Sequence, residues 1–256
     1  YLMYFDTAIS AYWRAMAMPY ASTLAALGGD LFVRKATLEY LGSAQYDDVL
    51  DVGMRCARIG TSSMSFAAAV FRQGQCLVSG ELVYVFADVA SQTARPVPGV
   101  LRDAIQAFEA GEAMVSVQLG NWQQLGAQAQ ALRTAVFVAE QKVPAAMEWD
   151  AADADALHAV ASNRFGAALA TGRLLQHAPG VARIGRMAVD KALRGTGVGS
   201  QVLDALLQAA RVRGDRQALL HAQVSAVPFY LRAGFMTHGE PFEEAGIGHI
   251  EMVKAL

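Results

Sequence analysis

The chain has 256 residues, 54% hydrophobic and 17% charged, so it carries enough apolar surface for one large or two modest cores. Its formal net charge of −2 comes without a basic block, which argues against a nucleic-acid partner, because phosphate binding needs clustered Lys and Arg. Its apolar runs fall short of the roughly 20 residues of a membrane span, and no signal peptide is expected before the first helix. Cys56 and Cys76 form neither a metal-type pair nor a disulfide framework and read as small core residues. The five histidines are scattered without ligand spacing, so no metal site is expected. A reducing cytoplasm is the expected compartment.

Tyr1 opens directly in an amphipathic pattern, which points to residues upstream of it. Leu2, Phe5, Ile9, Trp13 and Met16 recur at spacings of three and four, predicting a helix that Pro19 ends. The period then drops toward two. Residues 32–40, 50–57, 64–72 and 77–86 are predicted strands, with 42–48 as a loop and 73–75 as a hairpin turn. A polar stretch with Pro96 and Pro98 closes this region, and a short helix carrying Val100, Ile105 and Phe108 ends near Gly111. The domain boundary is placed there, giving units 1–111 and 112–256.

The second unit restarts with a strand at 114–119 and a helix bearing Leu125, Ala129, Leu132 and Val136. Strands are predicted at 164–175 and 184–189. A glycine-rich stretch, 194–199, opens a helix with Val202, Leu203, Leu206 and Ala210 on one face, and Gly214 stops it. A strand at 218–222, a helix at 227–232 and a final strand pair complete an α+β chain.

Arg194-Gly195-Thr196-Gly197-Val198-Gly199 lies between a strand and a helix. Glycines admit close approach to the backbone, and free N–H groups at a helix start form an anion cradle suited to a diphosphate. It is neither a Walker A loop, since Ser200 and Gln201 follow, nor a dinucleotide fingerprint, whose glycines are spaced differently and follow the first strand. A structural turn is the alternative. Arg194, Gly197 and Gly199 fit the [RQ]-x-x-G-x-[GA] signature, Gly185 to Val189 fit the preceding strand, and Ala222-Gln223, Phe229-Tyr230 and Gly234-Phe235 fit a second acyl-CoA motif. With these motifs the second half resembles the GNAT superfamily of acyl-CoA-dependent N-acyltransferases. Phe137 to Pro144, Glu148, Asp150, Asp155 and His158, together with the ending Glu240 to Met252, resemble its ElaA-like branch.

That resemblance implies a GNAT α/β domain with a mixed central sheet, binding acetyl-CoA as co-substrate through Met187, Ala188, Val189, Arg194, Gly195, Thr196, Gly197, Val198, Gly199, Gln223, Phe229 and Tyr230. It implies direct attack of an amine on the thioester. The backbone of Val189 would face the carbonyl oxygen, Tyr230 would donate to the departing thiolate, and Glu148 would accept the amine's proton. Tyr230 is otherwise a core tyrosine, and Glu148 a solvated loop carboxylate. His158 and His249 read as structural hydrogen-bonders, and Glu140 and Gln141 are open to a surface role. The sequence carries no readable code for the acceptor.

The first half resembles hotdog-fold acyl-CoA thioesterases of the YbgC and 4-hydroxybenzoyl-CoA type. The residues that carry this are Tyr1 to Asp6, Phe32 to Lys35, Glu39-Tyr40, Tyr46 to Leu50, Gly60 to Ser63 and Arg95 to Pro98. The resemblance implies a helix wrapped by an antiparallel sheet and a homodimer through this domain. The family's first strand and catalytic aspartate belong before Tyr1, so no catalytic residue carries over, and Asp6 reads as an exposed helical aspartate. The expected whole is an acyltransferase fused to a thioesterase-like domain. Its rivals are a thioesterase regulated by an acyl-CoA-sensing second domain, and a first domain serving only as a dimerisation scaffold.

Overall fold

Leu2–Ala15 forms the expected helix, α1, and buries Phe5, Ile9, Tyr12 and Trp13 along one face. The computed structural model describes residues 1–256, which divide into two compact units, Tyr1–Met114 and Val115–Leu256. In the first, the Pro19 break is followed by a helix absent from the sequence reading, α2 (Tyr20–Ala26), whose seven residues are too few to display a period. Strands β1 (Asp30–Tyr40), β2 (Asp51–Ile59), β3 (Ser63–Arg72) and β4 (Gln75–Ala87) form an antiparallel sheet in the order β1-β4-β3-β2. The β3–β4 turn holds Gln73 and Gly74 at φ of 49° and 81°, the doubly left-handed turn that matches strand twist.

Alternation along β3 turns Met64, Phe66, Ala68 and Val70 inward. Against them lies α1, with the rings of Tyr12 and Trp13 edge-on to Phe66 at 5.2 and 5.6 Å. Helix α3 (Gly99–Glu109) buries Leu101, Ala104 and Ile105. Its Glu109 accepts hydrogen bonds from the Tyr12 hydroxyl (2.7 Å) and the Cys56 amide (2.6 Å). Cys56 and Cys76 are half-buried on strands rather than sunk in the core as expected. A helix on a four-stranded antiparallel sheet is the hotdog-type arrangement that the sequence implies.

The second unit contains β5 (Val115–Gly120), α4 (Trp122–Arg133), α5 (Ala145–Glu148), β6 (Leu157–Asn163), β7 (Ala168–Ala178) and β8 (Val181–Val189). After these come α6 (Val198–Arg213), β9 (Gln217–Gln223), α7 (Val227–Arg232), β10 (Met236–Glu244) and β11 (Ile247–Ala255). The sheet runs β10-β11-β9-β8-β7-β6-β5 and is antiparallel except at β8–β9, hence mixed. The strand predicted over 164–175 begins later, as β7, and residues 164–167 form the turn that leads into it from β6. β6 escaped the sequence reading because its Leu-His-Ala-Val-Ala-Ser-Asn run is buried on both faces and does not alternate.

Asn121 and Gln124 cap α4 reciprocally, each side chain accepting the other's amide. The helix expected to run through Val136 keeps α-helical spacing only to Arg133 and widens into a π-helical segment, Thr134–Glu140. Val160 packs on α4, whereas a Cβ on Gly172 would strike Val202 and Leu206 of α6. Gly172 is the register partner of Ala159, the neighbour of Val160, so α4 and α6 cover opposite faces of the sheet. No helix is long and apolar enough to cross a membrane.

Candidate active site

Strands β8 and β9 pair only at Val181–Gln217, Ala182–Ala218 and Arg183–Leu219, and beyond Arg183 they part. There β8 follows β7 through a bulge: Thr171 faces Ala188 and Arg173 faces Gly185, leaving Arg186 and Met187 opposite Gly172. Arg186 sits at φ 51°, uncommon for a residue with a Cβ, and its guanidinium is held by the Glu148 carbonyl (3.2 Å) and Asp150 (3.0 Å). The parted strands open onto two cavities of about 720 and 200 Å³, which share Gln141, Met187, Gln223, Ala226 and Tyr230.

The larger cavity brings together Met187, Ala188, Val189, Arg194, Gly195, Gly197, Gly199, Gln223, Phe229 and Tyr230 of the expected set. The Asp190 amide donates to Leu169 O (2.8 Å). Since bonded and non-bonded pairs alternate in an antiparallel ladder, the preceding pair, Val189–Ala170, is non-bonded. The Val189 N–H and C=O therefore point away from β7, toward the side that β9 has vacated. Its carbonyl accepts there from Arg194 Nε (3.3 Å).

Gly195 and Gly197 take φ of 83° and 89°, which turns the chain sharply into α6. The first bond of the helix runs from the Gln201 amide to Gly197 O, so the amides of Val198, Gly199 and Ser200 remain without a partner at its positive end. A Cβ on Gly199 would stand 3.0 Å from Val189 Cγ2, so the first helical turn lies directly on the strand. Two members of the expected set do not line the cavity. The Thr196 hydroxyl closes the turn onto Leu193 O (2.7 Å), and the Val198 side chain enters the core, leaving only its amide at the helix start. Arg194 lines the cavity, but its guanidinium is engaged by Glu140 in two hydrogen bonds of 2.7 Å. The same Arg194 bonds hold the Glu140 carboxyl below its ordinary range. Gln141 and Gln223 exchange amide hydrogen bonds of 2.9 and 3.3 Å, tying the end of the π-helical segment to the end of β9.

Tyr230 is 7% exposed and lies edge-on to Phe229 and Phe235, at 4.9 and 5.8 Å. Its hydroxyl has no hydrogen bond within the protein, and burial pushes its pKa up to about 12. Met187, Tyr230 and Glu148 all line the smaller cavity.

Glu148 is not a solvated loop carboxylate: it is 3% exposed. Its Oε1 receives Arg133 Nε at 2.5 Å and lies 3.5 Å from Arg186 Nε, while Oε2 enters no hydrogen bond. Arg133 also pairs with Asp153, and Arg173 bridges Asp153 and Asp150, so three arginines and three carboxylates form one neutral cluster. Burial raises the Glu148 pKa against the pull of Arg133 and Arg186. Burial also pushes Asp153 upward, yet Arg133 and Arg173 hold it below its ordinary value. The sequence motifs include Glu148, Asp150 and Arg186, the last only as part of a strand, but not Arg133, Arg173 and Asp153. Their signal was there: Arg133 falls on the apolar stripe four residues after Ala129, and Arg173 interrupts a small-residue strand, and a charge in an apolar run calls for a buried partner. Asp155, by contrast, is exposed.

The histidines behave as structural groups. His158 is buried against Trp122 with Nε2 2.9 Å from Asp153 O, and burial lowers its pKa. His249 Nδ1 lies 2.8 Å from Ile247 O.

Residues 122–256, just over half of the chain, match the model of an acetyltransferase (GNAT) domain. The chain belongs to the GNAT acetyltransferase family. It is 36% identical over 124 residues to the uncharacterized N-acetyltransferase YjcF of Bacillus subtilis, an overlap of 48% of this chain and 87% of that protein. Among solved structures, a putative N-acetyltransferase from Lactobacillus plantarum aligns with TM-score 0.53 and 33% identity, over 56% of this chain and 99% of that one. Escherichia coli ElaA aligns with TM-score 0.50 and 30% identity, over 55% and 99%. Residues 1–79 match the model of the thioesterase superfamily, so both resemblances seen in the sequence hold.

Proposed function

We propose that the second unit of this GNAT chain transfers an acetyl group from acetyl-CoA to an amine by direct attack. The observation that carries the reading is the parting of β8 and β9 beside the unpaired first-turn amides of α6. Those amides suit a pyrophosphate, and the 720 Å³ cavity is of a size that takes a cofactor-like ligand. The pantetheine runs beside Met187–Val189, and the Val189 N–H, directed into the cleft, faces the thioester oxygen as it gains charge.

The amine enters from the smaller cavity. Glu148, made more basic by burial, accepts its proton on the free Oε2. The C–N bond forms, the C–S bond breaks, and the sulfur leaves toward Tyr230. A phenol near 12 is a weaker acid than a thiol near about 8.5. Tyr230 therefore stabilises the thiolate by donating a hydrogen bond and keeps its own proton. Incubation of the chain with acetyl-CoA and a panel of amines tests the reading: acetylated amine and free CoA thiol should accumulate in equal amounts. CoA released without acetylated amine would instead point to hydrolysis.

The first unit is read as thioesterase-like without an assigned catalytic residue; Asp6 is exposed on α1. We read it as a pairing domain that joins two copies by extending its sheet at an edge strand. Light scattering at micromolar concentration should give the mass of two chains, and a mass of one chain would refute the pairing. Free, half-buried cysteines and a CoA co-substrate suit a reducing cytoplasm.

A further inference from the structure

We infer that the amine acceptor is a small molecule that also carries an anionic group, a carboxylate or phosphate, and that Arg183 binds that group. The inference rests on the transferase reading above and concerns the smaller, 200 Å³ cavity. Three arginines line it: Arg173, Arg183 and Arg186. Arg173 is engaged by Asp150 and Asp153, and Arg186 by Asp150 and Glu148, within the neutral cluster. Arg183 differs, for its guanidinium enters no ion pair or hydrogen bond.

Its position is fixed by the fold. Arg183 makes the last β8–β9 pair, with Leu219, so it stands where the strands begin to part. Side chains of directly opposed residues share a face, and the alternation along β9 then puts His221 and Gln223 on the face of Arg183. Arg183, exposed on β8, lines the same cavity as His221 and Gln223, so it stands at the cleft. Four residues further along β8 is Met187, beside the site of acyl transfer. At about 3.3 Å per residue, an acceptor spanning this stretch holds its amine and its anion roughly 10 Å apart or less, once side-chain reach is included.

Glu244 is the other charged group of the cavity with no ion pair, and it stands on the hairpin side. One unpaired cation and one unpaired anion facing a small cleft complement a ligand bearing both charges. A planar guanidinium with a full set of free donors favours carboxylate or phosphate, which it binds through two parallel hydrogen bonds.

The test measures acetyl transfer to three matched series: alkylamines, ω-amino carboxylic acids and aminoalkyl phosphates of increasing length. It is paired with calorimetric titration of acetyl-CoA into each protein. The unsubstituted chain should favour an anionic amine over the alkylamine of the same length by at least about tenfold in kcat/KM, equivalent to about 1.4 kcal/mol. Arg183→Gln should abolish that preference by raising KM for the anionic amine while acetyl-CoA affinity stays the same, and Arg183→Lys should restore part of it. Comparing the two anionic series identifies the anion. Equal use of neutral and anionic amines, a preference that survives Arg183→Gln, or acetyl-CoA binding without acetylation of any series member would each overturn the inference while leaving acyl-CoA binding intact. Failure to bind acetyl-CoA at all would instead remove the transferase reading on which it rests.

Discussion

Tyr230→Phe removes one oxygen atom and little else. The hydroxyl makes no hydrogen bond within the protein, so folding stability should move by less than about 0.5 kcal/mol. Its loss should appear in the chemical step. With the phenol near 12 and a thiol near about 8.5, full proton transfer to sulfur is uphill by some 3.5 pKa units, or about 5 kcal/mol. What Tyr230 can supply is a hydrogen bond to a charged acceptor, typically about 1.5–3 kcal/mol. At about 1.36 kcal/mol per decade, kcat should fall roughly 10- to 200-fold. That is less than the loss of a full general acid, which reaches about 10⁴. Acetyl-CoA affinity should be retained, because the interaction strengthens only as the sulfur leaves. The assay is thiol release under saturating acetyl-CoA and amine, with a urea unfolding curve on the same sample. A kcat within twofold of the unsubstituted chain, with the protein folded, would refute this role.

Glu148→Gln should lower kcat by about 10²–10⁴, the range for loss of a positioned base. Burial raises the Glu148 pKa above its ordinary 4.5, and the base works when deprotonated. Activity in the unsubstituted chain should therefore climb as pH rises through that raised value and then level off. Glutamine should erase the limb, and a pH–rate profile that keeps it would assign the base elsewhere. Arg133→Met leaves Glu148 and Asp153 buried without their shared cation, so urea unfolding should show the second unit destabilised by about 3–5 kcal/mol. A change below about 1 kcal/mol would mean that the cluster is not coupled to folding.

Much of the fold was legible because the relevant patterns are local. The spacing of Phe5, Ile9 and Trp13 marks α1, alternation marks β3, and glycines mark both the entry to α6 and its end at Gly214. What escaped was decided by neighbours distant in sequence. A strand sandwiched between α4 and α6 has no polar face to alternate, so β6 was invisible to periodicity. The candidate site divides in the same way. Val189, Gly197, Gly199, Gln223 and Tyr230 sit in motifs a few residues long and meet in one cavity. The pairing of Gln141 with Gln223, the clamp of Glu140 on Arg194 and the cluster around Arg133 join residues tens of positions apart. Sequence spacing carries no sign of which arginine meets which carboxylate, and it gave Thr196 a place in the cavity that its hydroxyl leaves for Leu193.

The central claim is that the parted strands and the open start of α6 form an acyl-CoA site. Calorimetric titration of acetyl-CoA into the chain, repeated with Gly197→Trp, tests it most directly. A Cβ at Gly197 meets nothing within 4 Å, so the indole would project into space meant for the pyrophosphate, on a backbone at φ 89° that resists a side chain. The account predicts saturable binding to the chain and none to the folded variant. No binding to the unsubstituted chain, or equal binding to both, would contradict it.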